Sequence, residues 1–137
     1  MSQWTHVAGC IRIDHFIGDL NPDVFRNDIK KSFGNTCDFY DNRSVWDCCN
    51  VPCGSEGSIQ YDMSEISDDS LEWGLIYIWG DLRDYTDYQE IYRWIKKSCE
   101  PFIVRQCAVE VECEFGEWKY FIHCNKESKI VMTKIRV

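Results

Sequence analysis

The most explicit metal-ligand chemistry of the chain lies in four closely spaced cysteines, Cys37, Cys48, Cys49 and Cys53. Four thiolates can bind one zinc ion tetrahedrally, and the ion would order a loop that has no core of its own. Zinc sites usually draw on two separate short-spaced pairs, however, and adjacent cysteines rarely ligate the same ion. We therefore favour reduced cysteines that pack as small hydrophobic side chains, and we expect no cofactor, with structural zinc as the alternative.

Three histidines, His6, His15 and His123, are the candidates for acid–base or nucleophilic work. No sequence feature places any of them beside a thiol or a carboxylate, although His6 and His123 would be neighbours if their strands paired. The chain also lacks the sequence patterns of a phosphate-binding loop, a metalloprotease helix and a nucleophile elbow. We therefore predict structural histidines and a protein that is not an enzyme.

Carboxylates and aromatic side chains are concentrated in the middle of the chain. Residues 38–90 contain 13 acids against two arginines, within a chain of formal charge −8. Such a belt repels phosphates and attracts basic surfaces; the alternative interpretation is that the acids only keep an aromatic-rich protein in solution. Acids with aromatics between them can also occupy the basic groove of a nucleic-acid-handling protein. The residues predicted to contact such a partner are Asp68, Asp69, Glu72, Asp81, Asp84, Tyr85 and Asp87.

Length and composition predict the kind of protein in which these residues lie. A chain of 137 residues with 45% hydrophobic content predicts one folded domain over residues 1–137. No apolar run approaches 18 residues and the start lacks a secretory signal, so we expect a cytoplasmic protein with no membrane span. The nine cysteines are then expected to be reduced.

Hydrophobic periodicity predicts the elements that must position the candidate residues. A capping box from Thr86 to Gln89 predicts the start of the second helix, and residues 35–57 form a long Cys-rich loop. The predicted elements are a strand at 4–14, a helix beginning at Pro22, strands at 58–65 and 72–79, a helix after Thr86, and strands at 108–115, 118–124 and 129–137.

This order, β-α-β-β-α-β with a C-terminal β extension, predicts an α+β fold of the ferredoxin-like (split βαβ) kind. Its antiparallel sheet would carry two helices on one face. The other face would carry either polar residues or the aromatic residues Trp73, Tyr77 and Trp79. Such sheets often bind RNA on exposed aromatics, but the surrounding acids argue against direct nucleic-acid binding here.

Three segments resemble small proteins encoded by phages and prophages of Gram-positive bacteria. They are WTHVAGCIRID at residues 4–14, PCGSEGSIQY at 52–61, and WGDLRDYTDYQEIYRWIKK at 79–97 followed by VRQCAVEVE. The resemblance implies a virus-encoded accessory protein in a bacterial cytoplasm, and small acidic phage proteins include anti-CRISPR proteins and other inhibitors of host defence. It carries over no site residue.

We therefore predict an accessory protein that inhibits a host defence or nucleic-acid-handling complex by binding a basic surface of a host protein or ribonucleoprotein. One alternative is a module that binds a small molecule or nucleotide, for example to sequester a signal. Another is a phage nucleic-acid-binding factor. Exposed edge strands would also allow a homodimer.

Overall fold

A computed structural model describes residues 2–15, 22–36, 50–68 and 71–137, which form six strands and two helices. In chain order the elements are β1 (Trp4–His15), α1 (Pro22–Phe33), β2 (Gln60–Asp68), β3 (Leu71–Arg83), α2 (Tyr88–Cys99), β4 (Ile103–Cys113), β5 (Trp118–Cys124) and β6 (Ile130–Arg136).

The first helix begins and ends at the residues that the sequence indicates. Pro22 occupies its first position, where a fixed φ suits the helix and the missing N–H removes no hydrogen bond. Gly34 follows the last residue with a φ of +96°, and its N–H donates to the Lys30 carbonyl at 3.0 Å. A residue in this left-handed conformation ends many helices, and glycine adopts it without a steric penalty.

The second helix differs from the prediction at its first turn. Its N-cap is Asp87, whose carboxylate accepts a hydrogen bond from the Glu90 backbone N–H at 3.2 Å. The capping box predicted from Thr86 is therefore wrong by one residue, because aspartate caps a helix as well as threonine does. One face of α2 packs into the core, since Ile91 and Ile95, one helical turn apart, are fully buried.

All six strands pair antiparallel in one sheet, in the order β2-β3-β1-β4-β5-β6. The strands predicted at 58–65 and 72–79 correspond to β2 and β3, which pair with each other directly, for example Met63 with Ile76. The predicted ferredoxin-like arrangement, a split βαβ sheet with two helices on one face and a C-terminal extension, is wrong. The structure is mostly one continuous antiparallel sheet, in which β5 and β6 are full members beyond β4. Alternation predicts where strands lie, whereas their order depends on which long-range pairs form.

The core lies on one side of this sheet. It contains alternate residues of the strands, such as Ile11, Ile76 and Val109, together with Ile29 of α1 and Ile95 of α2, all fully buried. Burying each such side chain contributes roughly 1.5–3 kcal/mol. The Trp94 indole N–H donates to the Phe33 carbonyl at 2.9 Å and so links the two helices.

The other side of the sheet, which we call the open face, carries the residues between the core positions, because successive side chains of a strand point to opposite sides. Tyr77 and Trp79 in β3 are 43% and 46% exposed there, whereas their neighbours Ile76 and Ile78 are buried. The sequence left open which side of the sheet would expose aromatic residues, and the structure decides it for these two. Within the described ranges, neither helix combines the length and apolar character needed to cross a membrane.

Candidate functional site

Cross-strand register arranges the open face in rows. One row runs across five strands through Gln60, Trp79, Ala8, Glu110 and Phe121. The next row toward the end of β3 contains Asp81, His6, Glu112 and Lys119. Residues far apart in the chain therefore become neighbours: an aromatic row lies beside a charged row on the same surface.

His6 is held between two carboxylates in the charged row. Its Nδ1 lies 2.5 Å from Asp81 Oδ1, and its Nε2 lies 2.9 Å from Glu114 Oε1. Register places Asp81 directly opposite His6, and a hydrogen bond of 3.0 Å from the Glu114 N–H to the Trp4 carbonyl brings Glu114 to the same end of β1. Only a protonated imidazole can donate to two acceptors at once.

The pKa of His6 is raised accordingly. The largest cause is its hydrogen bond to Asp81, partial burial opposes the shift, and the hydrogen bond to Glu114 adds to it. The side chains remain accessible, since those of His6 and Asp81 are 47% and 65% exposed. The carboxylates of Asp81 and Glu114 are therefore in contact with solvent as well as with His6.

Beside His6 the open face is concave, and we call this concavity the groove. Its volume is about 630 Å³, which lies within the range of small-ligand sites. Trp4 and Trp79 contribute aromatic surface, while His6, Asp81 and Glu114 contribute charge. The other lining residues are Gly57, Ser58, Gln60 and Gly80.

One wall of the groove is the turn that precedes β2. The glycine-rich run at residues 54–58 forms this turn, which a hydrogen bond of 2.9 Å from the Gly54 N–H to the Gly57 carbonyl closes. The Arg83 N–H donates to the Glu56 carbonyl at 2.9 Å, which fixes the turn to the end of β3. Gly57 has a φ of +76°, and a Cβ there would lie 1.9 Å from the Asp81 carbonyl oxygen. Only glycine permits this approach.

Carboxylates outnumber cations around the exposed aromatics. The Lys119 ammonium lies 2.5 Å from Glu110 and 3.4 Å from Glu112, so one lysine is shared by two acids. His6 is likewise shared by two acids, and the exposed Asp62 lies opposite Tyr77. The three rows that contain Tyr77, Trp79 and His6 thus carry four carboxylates, Asp62, Asp81, Glu110 and Glu112, against His6 and Lys119.

Four of the predicted contact residues lie near the start of α2, and the structure gives them different roles. Asp81 lines the groove, whereas Asp87 caps α2 and lies 3.4 Å from Arg93. Asp84 has a φ of +51° and accepts a hydrogen bond from the Gln3 N–H at 3.2 Å. Tyr85 is buried, at 7% exposure, and burial raises the pKa of its phenol. Tyr85 thus packs in the core, where a partner does not reach it.

The remaining predicted contacts lie at the opposite end of β3. Glu72 pairs with Ser67, and Asp68 pairs with Leu71, at the hairpin end of β2 and β3. Nine residues of extended strand separate Glu72 from Asp81, which is about 30 Å. Asp69 lies outside the described residues. The structure therefore does not bring the predicted acids together on one surface.

The cysteine prediction falls largely outside the described residues. Cys37, Cys48 and Cys49 belong to the part of the chain that is not described, and the Cys53 thiol donates to the Val51 carbonyl at 3.0 Å. Within the described ranges no three histidine, cysteine or acidic side chains are grouped as metal ligands would be. The zinc alternative stays a prediction.

Sequence reasoning missed the surroundings of His6 because its partners are 75 and 108 residues away in the chain. The alternation of β1 places His6 on the other side of the sheet from its buried neighbour Val7. This was the one sequence signal that His6 lies on an exposed surface. His6 and His123 are not strand neighbours, since β4 separates β1 from β5. His123 instead lies 2.7 Å from the Thr133 hydroxyl.

Comparison of the chain with protein-family models, curated proteins and solved structures finds no match. The phage resemblance stays a prediction from the sequence segments, and the function must be argued from the open face itself.

Proposed function

We propose that the open face binds a basic surface of a partner protein, and that the chain is a non-enzymatic accessory protein. In the setting implied by the phage resemblance, the partner is a host defence or nucleic-acid-handling complex in the bacterial cytoplasm. The observation that carries this proposal is the exposure of Tyr77 and Trp79 at the centre of an acidic sheet face.

The aromatic residues supply the binding energy in this proposal. Tyr77 and Trp79 lie two residues apart on β3, and both are more than two-fifths exposed. Tyrosine and tryptophan are the residues most enriched at energetic centres of protein interfaces, because each buries a large rigid surface at low entropic cost. Phe121, half-buried in the same row as Trp79, extends the apolar area across the sheet.

The carboxylates select the class of partner. Asp62, Asp81 and Glu110 lie next to the exposed aromatics, so a basic surface gains both a faster approach and a correct orientation. The same charges repel the phosphates of a nucleic acid. Both ring nitrogens of His6 are engaged by carboxylates, an arrangement that favours binding over proton transfer to a substrate.

A retention experiment with paired variants tests the proposal. The purified protein is immobilised, exposed to lysate of a Gram-positive bacterium and washed with increasing salt. A retained basic protein should be lost from the double variant Tyr77→Ser/Trp79→Ser. It should be kept by the control Phe115→Ser, which removes an aromatic residue that is 57% exposed beyond the end of β4. The proposal would be overturned if the double variant retained the basic protein as well as the wild type does, or if the wild type retained no basic protein.

The volume of the groove supports a second candidate, a module that binds a small molecule or nucleotide. Asp81 and Glu114 oppose the binding of phosphates there. A thermal-shift screen against nucleotides separates the two candidates, because a ligand of the folded state raises the melting temperature by mass action. A concentration-dependent rise would favour the nucleotide module over the protein-binding one.

A further inference from the structure

We infer that the groove receives the guanidinium group of an arginine presented by the partner. This inference rests on the proposed function and names the group that the partner would place beside Trp79, Asp81 and Glu114. It depends on three features of the groove: the tryptophans at its two ends, its accessible carboxylates, and the hydrogen bonds that join those carboxylates to His6.

Two indoles bound the groove along the strand direction. Trp4 pairs with Arg83, His6 with Asp81, and Ala8 with Trp79, so the tryptophans lie two pairs on either side of the His6 pair. Four residues of strand span about 13 Å, which is room for an extended arginine side chain. A flat guanidinium stacks on an indole face, and tryptophan gives the strongest such cation–π contact.

The carboxylates already hold a cation of the required kind. His6, when protonated, donates to Asp81 and to Glu114 from its two ring nitrogens, at 2.5 Å and 2.9 Å. A guanidinium offers five donors in a rigid fork and can engage both carboxylates while its plane rests on an indole. A neutral imidazole has only one N–H donor and can therefore hold only one of the two carboxylates. A guanidinium stays charged and can donate to both.

Arginine fits this groove better than lysine does. A lysine ammonium is a compact, strongly hydrated charge without a flat face to stack on Trp79. The side chain of Asp81 is 65% exposed and that of Glu114 is 40% exposed, so a guanidinium can reach them without unfolding the sheet.

A titration with matched peptides tests the inference. The probe is a fluorescent peptide of three arginines separated by glycine and serine, with lysine and citrulline versions as comparisons; citrulline keeps the shape of arginine without its charge. We expect the arginine peptide to bind at least about fivefold more tightly than the citrulline peptide, with lysine between them. Equal binding of arginine and citrulline would overturn the inference.

Variants place the binding in the groove. Asp81→Asn and Glu114→Gln should each weaken arginine-peptide binding about tenfold, because each removes a charge-assisted hydrogen bond. Glu100→Gln is the matched control, since it neutralises one exposed carboxylate that follows α2. Equal losses in all three variants would show a general charge effect and overturn the inference. Thermal melting confirms that each variant is folded.

The two proposals fail separately. Tyr77 does not line the groove, so Tyr77→Ser should leave arginine-peptide binding unchanged while it weakens retention of the protein partner. If Tyr77→Ser and Trp79→Ser abolish retention of the partner but Asp81→Asn leaves peptide binding intact, the arginine inference fails and the proposed function stands. If the arginine peptide binds in the groove and no partner depends on Tyr77, the proposed function fails.

Discussion

The two sides of strand β3 both carry large apolar side chains but differ in how far those side chains are buried. Ile76 and Ile78 are buried in the core at 0% and 1% exposure, while Tyr77 and Trp79, one residue away, are 43% and 46% exposed. Burial alone would favour covering both sides, because apolar area is stabilising only when it leaves water. The exposed side therefore contributes less to stability than the buried side, and it carries the aromatic residues that we propose as partner contacts.

The core side should dominate stability. Ile78→Ala is expected to lower the free energy of unfolding by about 2–5 kcal/mol, because it leaves a cavity in a fully packed cluster. Trp79→Ala removes a larger side chain from the open face and should cost less than about 1 kcal/mol. Urea unfolding measures both values. A loss for Trp79→Ala equal to that for Ile78→Ala would contradict the division between the two sides.

The groove wall should be the next most sensitive feature. Gly57→Ala places a Cβ 1.9 Å from the Asp81 carbonyl oxygen at a φ of +76°, and we expect a loss of about 1–3 kcal/mol. Gly116→Ala is the comparison, since a Cβ there meets its nearest atom at 3.3 Å. The measurement is again urea unfolding. If both alanines cost the same, the turn is not fixed against β3 as described.

Asp81 and Asp87 belong to the same acidic stretch of the sequence, but their substitution should have different effects on stability and on binding. Asp87→Ala removes the cap of α2 and should lower the free energy of unfolding by about 1 kcal/mol. Asp81→Ala should change stability less, because its contact with His6 is exposed, yet it should weaken arginine-peptide binding about tenfold. Circular dichroism melts and the peptide titration distinguish them. The reverse pattern would show that Asp87 belongs to the binding surface.

The smallest effect should be the pH dependence of the His6 contact. Asp81 and Glu114 contact the ring and Glu112 lies opposite in the register, so the folded protein raises the pKa of His6 above its ordinary value of 6.5. A raised pKa adds stability that is fully present below pH 6.5 and is lost as the pH rises through the folded value. Exposure limits this contribution to less than about 1 kcal/mol.

The difference in unfolding free energy between the wild type and His6→Gln, followed from pH 5 to pH 9, measures this contribution. It should shrink as the pH rises. A difference that grows with pH would mean that neutral His6 is the stabilising form. His123→Gln is the control, because the His123 ring contacts the Thr133 hydroxyl instead of a carboxylate.

Local sequence patterns predicted the helices and strands but not the way in which they assemble. Alternation in β3 correctly separated Tyr77 and Trp79 from Ile76 and Ile78, and Pro22 and Gly34 correctly marked the limits of α1. These signals are short in range, because the pleat and the helix end depend on neighbouring residues. The arrangement of the sheet depends on pairing between distant segments, so the ferredoxin-like prediction could not anticipate one six-stranded sheet.

The site was harder to predict than the elements for the same reason. Charge counting selected Asp81 and Glu72 as one belt, but an extended strand holds them about 30 Å apart. It also selected Tyr85, which the structure buries. His6 in β1 and Glu114 just after β4 are distant in the sequence and meet only because β1 pairs with β4.

The strict alternation of β3 also determines which genetic changes this protein can survive. Inserting or deleting a single residue in the 13-residue strand would turn Tyr77 and Trp79 into the core and expose the isoleucines. Substitutions at the outward positions leave the core untouched. A change of length in β3 is therefore disfavoured, whereas substitutions at its outward positions can alter the charge and shape of the open face without rebuilding the core.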